Sequence, residues 1–418
     1  MGRPDIRFKG YTDEWEQRKL GDSCKLNGRI GFRGYTEKDI ISKEAGGVLT
    51  FSPTNIVDNK LTIECKNTYI TREKYDESPE IKISNGDILF VKTGSTLGKS
   101  ALVTGLKEDA SINPQIVVMR VEKDTENFMS NVLITDRVMK QVAAVKIGGA
   151  VPTMTETELK NFTYFAPAEK EEKKKIGDYF RTLDHLITLH QRKCDEVKSL
   201  KKYMLQKMFP QNEQKVPEIR FEGFTEAWEH RKLGDTSEKV CVGFVGTCEK
   251  YYTDETGIPM YRTGNLNGLS LNKDDMKYVT RDFHQQNKKS QLKFGDILIA
   301  RHGDSGKAVN YESSEEANCL NIVIIRPDFK KCNYRFLTDC INSPRCQKHI
   351  KSLSAGSTQA VINTSEIEKL EVLLPGSIDE QEKVAAYFEN LDHLITLHQQ
   401  KCEELKKIKK FMLQKMFV

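Results

Sequence analysis

The strongest constraint on the fold is an internal repeat that runs through the chain of 418 residues. The segment LDHLITLHQRKCDEVKSLKKYMLQKMFP begins at Leu183 and returns from Leu391 as LDHLITLHQQKCEELKKIKKFMLQKMFV, with 21 of 28 positions identical. Near the start, RFKGYTDEWEQRKLGD at 7–22 returns as RFEGFTEAWEHRKLGD at 220–235. A period of this length predicts a two-fold duplication of a whole domain, because solenoid repeats are only about 20–50 residues long.

The two copies differ in the stretches that lie between these matching segments. Residues 23–150 and 236–355 share only short islands such as GDIL, and both consist of short β-rich runs separated by Gly, Asn, Asp and Pro. The matching segments, which we call the frame, therefore enclose a different stretch in each copy, which we call the insert. Similar frames suit identical partners, whereas different inserts suit different ligands.

Each copy ends in a segment whose core positions recur in steps of four and three. The first series runs Ile176, Phe180, Leu183 and onward to Met208, and the second runs from Val384 to Met416 in the same register. A repeat of 3.5 residues over four heptads predicts a coiled coil. The simplest pairing is antiparallel and within one chain. The alternatives are that each helix packs on its own domain or pairs between chains.

Together these patterns predict an α+β fold with an internal pseudo-two-fold repeat. We expect two globular mixed α/β domains with substantial β-sheet, joined by two long helices that form an antiparallel coiled coil. The predicted segments are a first domain at 1–167, a central spacer helix at 168–210, a second domain at 211–376 and a C-terminal spacer helix at 377–418.

Composition sets limits on location and metal binding. No apolar run is long enough to span a bilayer and the N-terminus has no signal-peptide core, so we expect a cytoplasmic protein. The ten cysteines include no CxxC pair, which predicts free thiols and no metal site. The net charge of +5 is compatible with a nucleic-acid partner but does not indicate one, because acids and bases are interspersed.

One stretch, TGSTLGKS at 93–100, superficially suggests a nucleotide-binding loop. That loop has the form GxxxxGK[ST] before a helix, but Thr93 stands where its first Gly belongs, and the following residues are rich in turn formers. The counterpart RHGDSGKAV has no Ser or Thr after Lys307. No HExxH, Ser–His–Asp or GxGxxG pattern stands out either. The sequence therefore predicts a binding protein and not an enzyme.

The order of these motifs resembles a known family. Each half begins with a WExRKLGD-like segment, continues with a GDIL strand and a Gly-containing loop, and ends in a helix with YFxxLDxLI. The chain resembles the DNA-specificity subunit of type I restriction–modification systems from about residue 5 to its end. The resemblance implies two target-recognition domains that each read one half of a bipartite, asymmetric site in double-stranded DNA.

The resemblance also implies partners. Two methyltransferase (modification) subunits would bind the repeated frame, and restriction/translocase subunits would join them. S-adenosylmethionine, ATP and Mg²⁺ would be bound by those subunits and no cofactor by this chain. The main alternative is a non-catalytic scaffold whose two domains bind proteins and are held by an intramolecular coiled coil.

Candidate DNA contacts lie in turns that are rich in hydrogen-bonding side chains and occupy the same place in both halves. Bases are read by Arg, Lys, Asn, Gln, Ser and Thr, and phosphates bind Lys, Arg and backbone N–H groups. In the first half the candidates are Thr54, Asn55, Lys92, Thr93, Ser95, Thr96 and Lys99. In the second half they are Tyr261, Arg262, Thr263, Asn265, Arg301, His302, Asp304, Ser305 and Lys307.

Overall fold

The chain forms two compact units, each built around its own sheets. The computed structural model describes residues 2–28, 35–145, 152–266, 270–301, 306–354 and 362–418. The first unit is Met1–His190 with Lys401–Val418, and the second is Gln191–Gln400. Each unit therefore holds one globular domain and a part of both predicted spacer helices. Within the described ranges, every helix is too short or too polar to cross a membrane.

The first unit has short strands and helices in its described part. Its strands are β1 (Glu16–Lys19), β2 (Cys24–Asn27), β3 (Val48–Phe51), β4 (Ile56–Val57), β5 (Lys60–Leu61), β6 (Thr68–Ile70), β7 (Ile88–Val91), β8 (Ser100–Leu102), β9 (Ala110–Ile112), β10 (Ile116–Val121) and β11 (Thr163–Ala166). Its helices are α1 (Leu20–Ser23), α2 (Arg72–Asp76), α3 (Glu126–Val132), α4 (Asp136–Val145), α5 (Glu156–Asn161) and the beginning of α6 (Lys170–Lys207).

Two sheets of the first unit enclose an apolar layer. One sheet has the order β2-β10-β7-β8, and the other has the order β6-β3-β9. Successive side chains of a strand point to opposite faces. In β7, Leu89 and Val91 therefore join the layer shared with β3 and β9, while Ile88 and Phe90 face the core under the helices. Burial on both faces explains why this strand is an uninterrupted apolar run.

The second unit repeats this plan. Its strands are β12 (Glu229–Lys232), β13 (Ser237–Val242), β14 (Tyr252–Thr253), β15 (Ile258–Tyr261), β16 (Lys277–Val279), β17 (Asp296–Ala300), β18 (Ala308–Tyr311), β19 (Asn318–Cys319), β20 (Ile322–Pro327) and β21 (Glu371–Leu374). Its helices are α7 (Arg281–Gln286), α8 (Tyr334–Asn342), α9 (Pro344–Ser354), α10 (Thr364–Lys369) and the larger part of α11 (Ile378–Met416). The sheet orders β13-β20-β17-β18 and β14-β16-β15-β19 match those of the first unit, with one additional strand.

The frame that the two halves share begins and ends each insert. In the first unit β1 pairs with β11, and the N–H of Leu20 donates to the carbonyl of Phe162 at 2.9 Å. In the second unit β12 pairs with β21, and the N–H of Leu233 donates to the carbonyl of Leu370, also at 2.9 Å. Each insert therefore leaves and re-enters its frame at adjacent points.

The two long helices pair in antiparallel orientation, as predicted. In the first unit the Lys409 ammonium contacts both carboxylate oxygens of Asp184 at 2.8 and 2.7 Å. In the second unit Lys201 contacts both oxygens of Asp392 at 2.7 Å. Every described position of the two heptad series is buried or half-buried. The helices lie inside the predicted spacer segments, and the α+β fold with an antiparallel coiled coil is confirmed.

Asp339 on α8 is a buried carboxylate beside the second of these ion pairs. It is 7% exposed, and its oxygen lies 3.9 Å from the Lys201 ammonium that Asp392 already binds. Burial, with a smaller contribution from the Asp392 carboxylate, raises the pKa of Asp339 to about 7, although Lys201 and Arg335 oppose the rise. Burial also raises the pKa of Asp392. Asp339, Asp392 and Lys201 line one cavity of the second unit, and Glu312 and Glu389 line it as well. The matching position on α3 is Asn131, which is buried and neutral.

This difference predicts a pH-dependent stability that one substitution removes. Between the usual aspartate pKa and about 7, the folded protein keeps a proton on Asp339 that the unfolded chain has lost. This contribution to stability is complete at acid pH and is lost as the pH rises to about 7, by at most about 1.4 kcal/mol per pH unit. The free energy of unfolding of Asp339→Asn, relative to that of the parent, should therefore increase from pH 5 to pH 8. Urea unfolding of both proteins at these two pH values measures the gain, and an equal difference at both would contradict it.

Candidate nucleic-acid interface

The first candidate loop joins β7 to β8 and comprises residues 92–99. It is a β-turn connection: the N–H of Gly98 donates to the carbonyl of Val91 at 3.0 Å, and that of Lys99 donates to Thr96 at 3.1 Å. A strand, Ser100–Leu102, follows it. A phosphate-binding loop requires a helix at this point, because the helix N-terminus supplies the N–H groups. The geometry therefore agrees with the rejection of a nucleotide site.

The 92–99 loop is fixed at its base and open at its tip. The carbonyl of Lys92 accepts from the N–H of Met154 at 2.8 Å, and the N–H of Gly94 donates to Pro152 at 2.9 Å. Ser95 and Lys99 are exposed, whereas Thr93 and Thr96 are half-buried. The Lys92 ammonium lies 3.6 Å from the Glu156 carboxylate. The tip can therefore present hydroxyl and ammonium groups to a ligand without rearrangement of the base.

The second unit places its corresponding loop, 301–307, on the same kind of base. The carbonyl of Arg301 accepts from the N–H of Ile362 at 3.1 Å, as that of Lys92 does from Met154. Lys307 is exposed and Arg301 is half-buried. The Nε of Arg301 is buried and makes no hydrogen bond to the described residues. The predicted contacts His302, Asp304 and Ser305 lie outside the described residues.

Two of the predicted contacts, Asn55 and Asn265, are structural. The Asn55 amide is fully buried, accepts from the N–H of Ser52 at 2.9 Å and donates to Asn67 at 2.8 Å. Asn265 accepts from the N–H of Arg262 at 2.9 Å and donates to the carbonyl of Asp274 at 3.0 Å. These amides hold their turns together, so the prediction that they contact DNA does not fit their burial.

The other candidates in these turns divide by exposure. Tyr261 is 5% exposed and packs edge-on against Tyr311, and burial raises its pKa, so it belongs to the core. The guanidinium of Arg262 lies 2.8 Å from the Asp275 carboxylate, and this hydrogen bond, together with one from Lys277, lowers the pKa of Asp275 to about 2. Thr54 is exposed and Thr263 half-buried. Thr54, Arg262 and Thr263 therefore remain candidates.

Sequence reasoning missed the segment that supports each candidate loop. Met154 and Ile362 hold the loop bases, and α5 and α10 begin just after them. The sequence did contain a signal, because MTETEL at 154–159 aligns with INTSEI at 362–367 with the same sequence offset as the two copies of the long helix. Among the described residues, no group of three or more His, Cys, Asp and Glu could hold a metal ion.

The comparisons with known proteins agree with this architecture. The profile of the type I restriction modification DNA specificity domain matches residues 12–199 and 225–407. One relative is the specificity subunit of the type I restriction enzyme MjaVIII from Methanocaldococcus jannaschii. It is 22% identical over 417 residues, which cover 95% of this chain and 91% of that one. A sequence described as the putative MjaX specificity subunit of the same organism is 26% identical over 198 residues, only 46% of each chain.

Solved structures show the same fold. The S subunit of a type I restriction–modification system from M. genitalium superposes with a TM-score of 0.67 at 14% identity, covering 99% of both chains. A chain from a study of complex assembly and conformational transition in the type I R-M system gives 0.53 at 16% identity, covering 96% of this chain and 97% of that one. With both halves matched by the family profile, the chain belongs to the type I restriction–modification DNA-specificity family.

Proposed function

We propose that the chain recognises a bipartite, asymmetric site in double-stranded DNA, with one half-site for each unit. The observation that carries the proposal is that two copies of one fold present different side chains from the same loop. The loop reads KTGSTLGK at 92–99 in the first unit and RHGDSGK at 301–307 in the second, so that both loops end in lysine but differ in the residues before it. Equal scaffolds with unequal reading loops are what an asymmetric site requires, because base edges are distinguished by side-chain donors and acceptors.

The exposed loop residues fit two kinds of DNA contact. Lysines such as Lys99 and Lys307 are suited to phosphates, whose contacts position a protein on the duplex. Hydroxyl groups, such as that of the exposed Ser95, can donate to base edges in the grooves. Both loops are anchored at their base by the segment before α5 or α10, so the base itself would not have to be ordered on binding.

The repeated frame supports the proposed protein partners. Helices α6 and α11 carry large apolar residues at matching positions, and the second unit leaves Leu200, Tyr203, Leu394 and Leu397 between 40% and 50% exposed. The matching positions in the first unit are also large and apolar, namely Ile408, Phe411, Leu186 and Leu189. Clustered exposed apolar side chains mark interaction sites. We infer that one methyltransferase subunit binds each copy of the frame and that restriction subunits join through them.

Catalysis belongs to those partners in this proposal. S-adenosylmethionine would serve adenine methylation, and ATP with Mg²⁺ would serve DNA cleavage, all bound by partner subunits. The chain itself is non-catalytic, in keeping with its family. A cytoplasmic location follows from this role and remains a prediction.

The test uses the complex of this chain with its methyltransferase subunits. We expect binding selection from a randomised duplex pool to yield a two-part motif. Lys99→Ala and Lys307→Ala remove the same loop position from each unit, and each should weaken DNA binding about tenfold, or about 1.4 kcal/mol. Lys293→Ala is the control, because it removes an exposed lysine at the opposite end of β17, about 16 Å along the strand.

The outcome that would contradict this function is a complex that shows no preference for any duplex in the pool. The scaffold alternative would then be favoured. If Lys293→Ala and Lys307→Ala weakened binding equally, the proposal of DNA binding would stand, but the 301–307 loop would no longer be assigned to the interface.

A further inference from the structure

A cavity of about 390 Å³ in the first unit has an unusual set of charges. It lies between the β4–β5 hairpin, strand β8, helix α3 and the paired helices. Three cationic side chains line it, those of Lys60, Arg181 and Lys409, and Asp184 is the one acidic residue among the described residues of its wall. Polar groups such as Asn131 and Thr188 complete the wall. The lining therefore carries a net positive charge, although Arg181 is 65% exposed and is also paired with Asp178, outside the wall, at 3.1 Å.

The single carboxylate is shared between two ammonium groups. Lys409 contacts both oxygens of Asp184, at 2.8 and 2.7 Å. The Lys60 ammonium lies 3.9 Å from the same carboxylate and donates to the Thr188 hydroxyl at 2.6 Å. Burial lowers the pKa of Lys60, and Lys409 adds to this, while Asp184 opposes it. Lys60 thus shares its carboxylate with a closer ammonium group.

The second unit has the corresponding cavity with the opposite charge. Its volume is about 240 Å³, and there one ammonium, that of Lys201, lies between the carboxylates of Asp392 at 2.7 Å and Asp339 at 3.9 Å. Where the first cavity has Arg181, the second has Glu389. The Asp–Lys pair belongs to the repeated frame, so the positive charge of the first cavity comes from residues in which the halves differ.

We propose that the cavity of the first unit binds a phosphate group. Lysine is a common phosphate ligand and acts as a point charge, which does not require a planar partner. A phosphate oxygen would give Lys60 the counter-ion that Asp184 supplies only in part. The phosphate is either a backbone diester of bound DNA, which rests on the function proposed above, or a free phosphate compound.

Inorganic phosphate is the direct probe, and it does not depend on the DNA function. We expect phosphate to raise the melting temperature of the full chain in a saturable way, beyond chloride at equal ionic strength. Lys60→Gln and Arg181→Gln should each remove at least half of that shift. Lys273→Gln is the matched control, since it neutralises a lysine that is 69% exposed in the second unit. A parent protein that responds equally to phosphate and chloride, or a Lys60→Gln protein that keeps the full shift, would overturn the site.

The salt dependence of DNA binding distinguishes the two sources. If a backbone phosphate occupies the cavity, Lys60→Gln in the complex should reduce the slope of log affinity against log salt by about 0.9, with unchanged sequence preference. An unchanged slope beside a lost phosphate effect would assign the site to a free phosphate compound and overturn the DNA source. Absence of DNA binding by the parent complex would refute the proposed function, while the phosphate titration would still support the cavity.

Discussion

Inserting four residues into each long helix should lengthen the gap between the two half-sites by about one to two base pairs. Helices α6 and α11 both continue from one unit into the other. Insertions between His190 and Gln191 and between Gln400 and Lys401 fall at the unit boundaries, so the packing inside each unit is kept. Four residues add about 6 Å of helix, and a base pair spans about 3.4 Å.

The inserted variant should also bind more weakly. Four residues exceed a helical turn by about 40°, whereas two base pairs turn the duplex by about 70°. The remaining mismatch of about 30° has to be absorbed by the protein or the DNA. Methylome sequencing of cells that express the variant beside the parent measures the gap. An unchanged gap at full activity would show that the helices do not determine the half-site distance.

The second large effect is expected from exchanging one insert. Replacing residues 20–162 with the corresponding insert of another family member should change one half-site completely and leave the other unchanged. The structure places these borders at the ends of β1 and β11, where Leu20 and Phe162 are joined by a hydrogen bond. The strands of the frame then remain native, and so do both long helices.

The reciprocal exchange is the matched control. Replacing residues 233–370, between β12 and β21, should change only the other half-site. Methylome sequencing of both chimaeras assigns each half-site to a unit. If either exchange altered both half-sites, base recognition would have to be shared between the units, and one-to-one reading would be refuted. A misfolded chimaera is detected beforehand by thermal unfolding of the purified protein.

The sequence by itself determined the duplication, the paired helices and the strand character of the inserts. The heptad series is legible because a coiled coil buries residues at a fixed period along one helix. The 92–99 loop was identified correctly as a turn, since a nucleotide loop has a strict glycine spacing and a helix after it. These features are local or strictly periodic, so neighbouring residues are enough to specify them.

Only the tertiary structure decided which polar residues are available to a ligand. Asn55 and Asn265 have the residue type of DNA contacts, but residues 9 to 12 positions further along the chain return to bury their amides. The opposite charges of the two cavities could not be predicted from the sequence either. Lys60 meets Asp184, and Asp339 meets Lys201, across more than a hundred residues of sequence. Such contacts depend on how distant elements pack, and no local pattern records them.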